Sequence, residues 1–137
     1  MQNIKNIIFD YGNVIFSIDF GRVQRSLKGL GFSDVEDLFW HLQQDPVFDA
    51  FDRGQITSNQ FRNNIREKAG KPELTNHEID TAWNSILIGV ADGNHELLLD
   101  LKGKYRTFLL SNINDIHYNF IMKYLKEKFN LDNNDHL

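Results

Sequence analysis

The sequence of 137 residues contains no cysteine. It therefore has no disulfide framework, no thiolate nucleophile and no cysteine-based metal site, which fits a cytoplasmic protein. It also lacks an apolar run of about 18 residues and the apolar core of a signal peptide, so neither a membrane span nor secretion is expected. The net charge of −4 does not indicate nucleic-acid binding. With 41% hydrophobic residues, the chain can form the core of one globular domain, or of one domain with a small insert.

The first distinctive stretch is a short apolar run, Ile4–Phe9, that leads into Asp10. Residues 7–9 (Ile-Ile-Phe) show no polar alternation, which predicts a strand buried on both faces of a sheet. Parallel sheets bind ligands beyond the carboxyl ends of their strands, where Asp10 would lie. Gly12 has no Cβ and would permit an unusual φ or a close approach to a ligand. The alternative is that Asp10 only caps a turn.

Helical patterns dominate from Phe16 to about residue 90. Apolar residues recur there at helical spacing, and cap residues mark where helices begin and end. The predicted capping boxes are Ser33 with Glu36, Thr57 with Gln60 and Thr75 with Glu78. A further short helix is predicted to begin at Pro46 and to stop at Gly54. The pattern indicates a helical bundle.

A second strand is predicted over residues 105–110, after a helix that Gly103 stops. It leads into Ser111 and Asn112, and then into a helix that begins near Asn114. Free amides and a hydroxyl converge in such a turn, which makes it a good cradle for an anion. The alternative is that Ser111 is a simple N-cap.

The two strand ends resemble two motifs of the haloacid dehalogenase-like (HAD) hydrolases. The stretch IIFDYGNVIFSID is similar to the first motif of the phosphatase branch, and FLLSN is similar to the second motif. In that family the first Asp attacks phosphorus, and the Ser or Thr of the second motif donates to the transferring phosphoryl group. The resemblance implies that Asp10 is the catalytic nucleophile. It also implies a phosphate-binding role for Ser111, Asn112, Tyr11 and Gly12.

The same resemblance implies a magnesium ion, held by the Asp10 carboxylate and the backbone carbonyl of Gly12. Many family members carry a second Asp two residues after the first, as general acid and base. Here that position is Gly12, so the group that protonates the leaving group is not identified.

The resemblance implies an α/β fold: a partial Rossmann-like parallel sheet core with an inserted α-helical cap bundle. The core would comprise residues 1–16 and 91–137, and the cap residues 17–90. The cap would exclude water and choose the substrate. Asp19 and Arg22 lie at the entry to the cap and are candidates for substrate contacts. The alternative is that both are ordinary solvated or helix-packing side chains.

Five other aromatic and histidine side chains receive structural interpretations. Trp40 and Trp83 are predicted to pack in the bundle core. His41, His77 and His95 lack metal-ligand spacing and are predicted to be surface or capping residues.

The third and fourth family motifs, a Lys and an acidic cluster, follow the second by many tens of residues and are not found here. Asp132 and Asp135 lie in a polar stretch after a helix, so we do not assign them as metal ligands. We therefore expect a truncated chain, or one completed by another chain, with an open strand edge that favours self-association. Little turnover is expected from the 137 residues alone.

Two functions remain open from the sequence. The first is a magnesium-dependent phosphatase of small phosphate monoesters such as sugar phosphates. The second is a non-catalytic HAD-like remnant that serves as an interaction or ligand-binding module. In either case the expected partner is a small phosphorylated metabolite rather than a nucleic acid or a membrane.

Overall fold

The computed structural model describes residues 4–32 and 46–137. The elements are β1 (Asn6–Phe9), β2 (Phe16–Ile18), α1 (Phe20–Gly29), α2 (Pro46–Asp52), α3 (Ser58–Ala69), α4 (Asn76–Asn84), β3 (Leu87–Val90), α5 (Asn94–Lys102), β4 (Arg106–Leu109) and α6 (Asp115–Phe129). The predictions made for Ser33, Glu36, Trp40 and His41 lie outside the described residues. None of the helices in these two ranges has both the length and the apolar character that a membrane span requires.

Two compact units divide the chain. The sheet unit comprises the described residues up to Ile18, Leu87–Ser111 and Asn119–Leu137. The helical unit comprises the described residues of Asp19–Ile86 together with Asn112–Tyr118. The first turn of α6, up to Tyr118, therefore belongs to the helical unit and the rest of α6 to the sheet unit.

A parallel pairing of β1 with β4 forms one sheet of the sheet unit. Ile8 is in register with Phe108, and Phe9 with Leu109. This confirms the α/β fold class and the parallel pairing of the two motif strands. Two parallel strands that pair with each other need a long crossover connection. Here that connection contains most of the helical unit, which lies between β1 and β4 in the sequence.

The exposure of β1 corrects the prediction that this strand is buried on both faces. Ile8 is 65% exposed, and its register partner Phe108 is 49% exposed. Asn6 is also exposed, whereas Ile7 and Phe9 are half-buried. The reason is that the sheet has two strands in the described part of the chain, and one of its faces is left uncovered there.

A second sheet, formed by β2 and β3, was not predicted. Phe16–Ile18 and Leu87–Val90 pair in antiparallel fashion, although both segments were assigned to the helical region. Short apolar runs do not distinguish a strand from a helix by periodicity, which explains the error. Gly89 has a φ of 152°, and a Cβ there would lie 2.5 Å from the Tyr124 hydroxyl oxygen. Both facts require glycine at this position of β3.

The helix ends of the helical unit follow local sequence signals. The side chain of Thr57 caps α3 and Gln60 completes the capping box, as Thr75 and Glu78 do for α4. Helix α3 ends at Gly70, which has a φ of 62° in the left-handed region. These predictions from the sequence are confirmed, because a cap is made by residues only a few positions apart.

Aromatic rings form the centre of the helical unit. Phe61 is fully buried, and its ring centroid lies 4.3 Å from that of Phe51, 5.1 Å from that of Trp83 and 5.4 Å from that of Phe48. The predicted core role of Trp83 is therefore confirmed. The buried residues of this core are Val23, Leu27, Phe32, Phe48, Phe51, Phe61, Ile65, Leu74, Ile79, Ala82 and Ile116.

We expect Phe61→Ala to lower the free energy of unfolding by about 3–5 kcal/mol, since it removes a buried ring and leaves a cavity. Urea denaturation followed by circular dichroism measures the loss. Phe120→Ala is the control, because Phe120 is 36% exposed and should cost less than half as much. Equal losses in the two variants would contradict the assignment of Phe61 to the core.

Candidate active site

The carboxyl ends of β1 and β4 bring the two motif residues to one edge of the sheet. Beyond the registered pairs, the amide of Leu110 donates to the carbonyl of Phe9 over 2.9 Å. Asp10 follows Phe9 directly and Ser111 follows Leu110 directly, so each leaves its strand at this edge. Asp10 is exposed and Ser111 is half-buried. An exposed carboxylate beside the start of a strand-to-helix turn is suited to binding and attacking a phosphoryl group.

The turn after β1 is held by its own backbone. The carbonyl of Tyr11 accepts the amides of Val14, Ile15 and Phe16, over 3.2, 2.9 and 2.9 Å. The Tyr11 amide donates to the Asp10 Oδ1 over 2.6 Å. The bond from Tyr11 fixes one oxygen of the carboxylate, while Oδ2 accepts no hydrogen bond from the described residues.

Gly12 does not have the unusual φ that the sequence suggested. The positive φ of this turn is at Asn13, at 56°, and Gly12 is not among the residues with a positive φ. A Cβ on Gly12 would meet Ile18 Cδ1 at 3.6 Å, an ordinary contact. The backbone therefore does not require glycine here, because the left-handed conformation is taken by the next residue. The metal- and phosphate-binding roles of Gly12 stay predictions.

The side chain of Tyr11 belongs to the core of the sheet unit. It is 4% exposed and stacks on Phe16 with a centroid distance of 5.7 Å. Burial, and secondarily the charge of Tyr124, raise the pKa of its hydroxyl well above the ordinary range. A phosphate-binding role of Tyr11 would therefore use its backbone.

The turn after β4 ends in a capped helix. Helix α6 begins at Asp115, and the amide of His117 donates to Asn114 Oδ1 over 3.0 Å. The N-cap of α6 is thus Asn114, three residues after Ser111. The alternative reading of Ser111 as the cap of this helix is wrong, which leaves its hydroxyl for another role.

A polar network around Asn114 was missed from the sequence. The Asn114 carboxamide nitrogen donates to Asp52 Oδ1 over 3.0 Å and lies 3.2 Å from His117 Nδ1. His117 Nε2 lies 3.3 Å from the carbonyl oxygen of Trp83, and the two rings stack with centroids 5.1 Å apart. An Asn just before a helix is an N-cap signal that could have identified Asn114. No local signal points to Asp52, which is 62 residues away.

Burial lowers the pKa of His117, and the bond to the Trp83 carbonyl and the charge of Asp52 oppose this effect. A neutral imidazole with its proton on Nε2 satisfies both contacts of the ring. Nε2 then donates to Trp83, and Nδ1 accepts from Asn114.

The candidate substrate contacts have structural partners on α1. Asp19 is the N-cap of α1, and its Oδ1 accepts the amide of Gly21 over 2.8 Å. Its Oδ2 lies 3.8 Å from Arg25. Arg22 is exposed one turn into the same helix. A role of Asp19 or Arg22 in substrate binding stays a prediction.

Across residues 4–32 and 46–137, no three His, Cys, Asp or Glu side chains cluster in a way that could hold a metal ion. Among the described residues, Asp10 is the carboxylate that directly follows β1 at the edge of the β1–β4 sheet. His77 is exposed as predicted, whereas His95 stacks on Phe129 with a centroid distance of 4.3 Å.

Comparison with known proteins identifies a phosphatase and a HAD family enzyme as relatives. No protein-family model matches the chain. A D-ribitol-5-phosphate phosphatase of Bacteroides thetaiotaomicron is 32% identical over 111 residues, which are 81% of this chain and 53% of the relative. The chain thus spans about half the length of this curated relative.

Solved structures give the same result. A HAD family enzyme from Bacteroides thetaiotaomicron matches with a TM-score of 0.82 and 39% identity, over 89% of this chain and 60% of that one. Its complex with magnesium and inorganic phosphate matches with a TM-score of 0.81 and 40% identity, over 88% and 59% of the two chains. The chain therefore belongs to the haloacid dehalogenase-like hydrolase superfamily.

The free energy of unfolding is expected to fall as the pH falls below about 6.5, the ordinary pKa of histidine. Burial lowers the pKa of His117 in the folded chain and lowers that of His136 to about 4. The unfolded chain therefore binds more protons in this window, so stability is complete above it and is lost on acidification. Urea midpoints at about pH 7.5 and 5 measure the effect.

His117→Gln should flatten this pH dependence, because it removes one of the buried imidazoles. The control is His77→Gln, which makes the same change at an exposed side chain. An unchanged pH dependence in His117→Gln would contradict a neutral, buried His117.

Proposed function

We propose that the chain carries the nucleophile and the phosphate-binding turn of a phosphatase that acts on small phosphate monoesters of the sugar-phosphate type. The observation that carries the proposal is the parallel pairing of β1 with β4, in which the strands that precede Asp10 and Ser111 end together. Membership in the superfamily supports the reaction class.

In the proposed reaction, the Asp10 carboxylate attacks phosphorus, and a new P–O bond forms as the bond to the alkoxide leaving group breaks. The alkoxide takes a proton from water, since Gly12 has no side chain that could donate one. A second water then cleaves the aspartyl-phosphate and releases inorganic phosphate and the Asp10 carboxylate. The proton that this water loses balances the one that the alkoxide gained.

The phosphate-binding groups would be the Ser111 hydroxyl and the backbone amides of Asn112, Gly12 and Tyr11, where the Tyr11 amide would exchange its bond to Asp10 Oδ1 for one to the phosphoryl group. These groups donate to the oxygens of the transferring phosphoryl group, where negative charge is concentrated. Fixed donors and cations are the main source of rate enhancement in phosphoryl transfer, because the transition state needs charge stabilisation more than a strong base.

Magnesium is the proposed cofactor. The Asp10 carboxylate and the Gly12 carbonyl would hold it, and both are oxygen donors of the kind that magnesium prefers. Asp10 fits this role because it is exposed and because each carboxylate oxygen keeps a lone pair beyond the bond from Tyr11. When bound, the ion would neutralise charge on the phosphoryl group. The magnesium and phosphate complex of the related HAD enzyme supports this cofactor.

The substrate class rests on the relative named D-ribitol-5-phosphate phosphatase, which supports a phosphorylated sugar or sugar alcohol. We assign residues 1–16 and 91–137 to the partial core and 17–90 to the helical cap, although residues 17–18 and 87–90 belong to the sheet unit and residues 112–118 to the helical unit. The cap would exclude water and select the substrate. Asp19 and Arg22 are the proposed contacts to the leaving group.

In the complete protein, we expect Asp10→Asn to abolish magnesium-dependent hydrolysis of D-ribitol 5-phosphate, since a carboxamide cannot form the aspartyl-phosphate. Ser111→Ala removes one hydrogen bond to the transition state and should lower kcat/KM on the order of 10²-fold. Release of inorganic phosphate measures both effects.

The matched control is Asp100→Asn, which changes an exposed carboxylate whose partner is Lys104, one turn further along. This variant should keep wild-type activity. Mild and equal losses in Asp10→Asn and Ser111→Ala would show that Asp10 is not the nucleophile. Phosphate binding without turnover, unaffected by either substitution, would favour the non-catalytic alternative.

We also propose that a second copy of the chain covers the exposed face of the β1–β4 sheet. This face presents Ile8 and Phe108, flanked by Asn6 and Arg106. Parallel sheets are normally covered on both faces, and strands with a free edge pair readily with another chain. A different chain that packs on the same face would also bury Ile8 and Phe108.

Sedimentation velocity over a concentration series should therefore detect self-association of the 137-residue chain. Ile8→Lys is expected to weaken it, because a charge on this face opposes its burial. Ile88→Lys, at a residue 49% exposed on the other sheet, is the control and should associate like the wild type. A wild-type chain that is monomeric at every concentration would exclude the second copy.

A further inference from the structure

The turn between Ser111 and α6 is anchored at its far end by a side chain from a distant helix. We propose that Asp52 and Asn114 are positioning residues for Ser111: their hydrogen bond holds the phosphate-binding turn in place, although neither residue contacts the phosphoryl group. This inference rests on the proposed phosphatase function, because it assigns Ser111 the role given there.

The geometry of Asn114 explains why an asparagine is needed. Its Oδ1 accepts the amide of His117, which caps α6, and its Nδ2 donates both to Asp52 Oδ1 and towards His117 Nδ1. The carboxamide is 4% exposed, so each of these polar atoms needs a partner. Aspartate could cap the helix but could not donate to Asp52, and serine could cap but has no second group to reach it.

The partners of Asn114 are themselves fixed. Asp52 is the last residue of α2, and the neighbouring Phe51 is 2% exposed within the aromatic core. His117 is stacked on Trp83 with an interplanar angle of 10° and contacts the Trp83 carbonyl. The carboxamide is therefore held by α2 on one side and, through His117, by α4 on the other.

The effect on Ser111 follows from the length of the turn. Asn112 and Ile113 alone separate Ser111 from Asn114, and the chain passes between the two compact units directly after Ser111. On one side Ser111 is fixed by the strand pairing, in which Leu110 donates to Phe9. On the other side, three residues along the chain, the backbone is held at Asn114 by its hydrogen bonds. Release of the second anchor leaves the hydroxyl free to shift, and a shift of about 1 Å can cost up to about 10²-fold in rate.

Asp52 is the better residue to substitute. Asn114 also caps α6, so its loss would change the stability of the helix. Asp52 is exposed, so water can replace its carboxylate in Asp52→Ala at little cost in stability. Asp52→Asn keeps an acceptor oxygen for Asn114 and serves as the conservative variant.

The test measures kcat/KM of the complete protein for p-nitrophenyl phosphate, and the inhibition constant of inorganic phosphate. Asp52→Ala should lower kcat/KM by about 10-fold or more and weaken phosphate inhibition, whereas Asp52→Asn should keep most of the wild-type activity. Thr75→Ala is the matched control, because it removes an N-cap of the same unit without touching this turn and should leave kcat/KM unchanged.

A double-mutant cycle separates positioning from general destabilisation. In a Ser111→Ala background, Asp52→Ala should cause no further loss, because the group that it positions is already absent. Losses that multiply in the double variant would overturn the proposal, as would an Asp52→Ala enzyme that behaves like Thr75→Ala.

If the protein has no phosphatase activity, nuclear magnetic resonance spectroscopy can still test the positioning role. Absence of activity would reject the proposed function alone. The amide resonances of Ser111 and Asn112 should still shift in Asp52→Ala relative to the wild type, and should not shift in Thr75→Ala. Unshifted resonances in Asp52→Ala would overturn the positioning role.

Discussion

The candidate site depends on the hydrogen-bonded pairing of β1 with β4. Paired residues of these strands are 100 positions apart in the chain, and their register brings the residues that follow Phe9 and Leu110 to one edge of one sheet. Because side chains alternate along a strand, a slip of one residue would turn each side chain to the other face of the sheet. The pairing therefore determines both the position of Asp10 and which residues lie beside it.

The two turns at this edge are stabilised in different ways. The first is held locally, because the Tyr11 carbonyl accepts three amides and the Tyr11 amide holds Asp10. The second turn is capped locally by Asn114. The Asn114 side chain also donates a hydrogen bond to Asp52, which lies on a helix distant in sequence. Asp10 is thus held by its neighbours in the chain, whereas the turn after β4 leads into Asn114, which is bonded to a residue of α2. This difference makes the second turn the more sensitive of the two to changes far from the site.

The uncovered sheet face agrees with the partial coverage of the relatives. The chain spans 60% of the solved HAD family enzyme that it matches, and the described residues leave Ile8 and Phe108 exposed on a parallel sheet. Parallel sheets of this type are stable when both faces are covered. The strand that precedes Asp10 is thus also the strand that carries the exposed Ile8.

The features that could be predicted are those made by residues close together in the chain. The capping boxes of Thr57 and Thr75 and the left-handed end at Gly70 were predicted correctly, since a cap needs contacts over only three or four residues. The two strand ends with Asp10 and Ser111 were also identified, because their motifs are local. Three features could not be predicted: the exposure of Ile8, the pairing of the short strands β2 and β3, and the bond between Asp52 and Asn114. Each of these is set by residues far apart in sequence, and local periodicity carries no information about which distant segment will cover a face or donate a hydrogen bond.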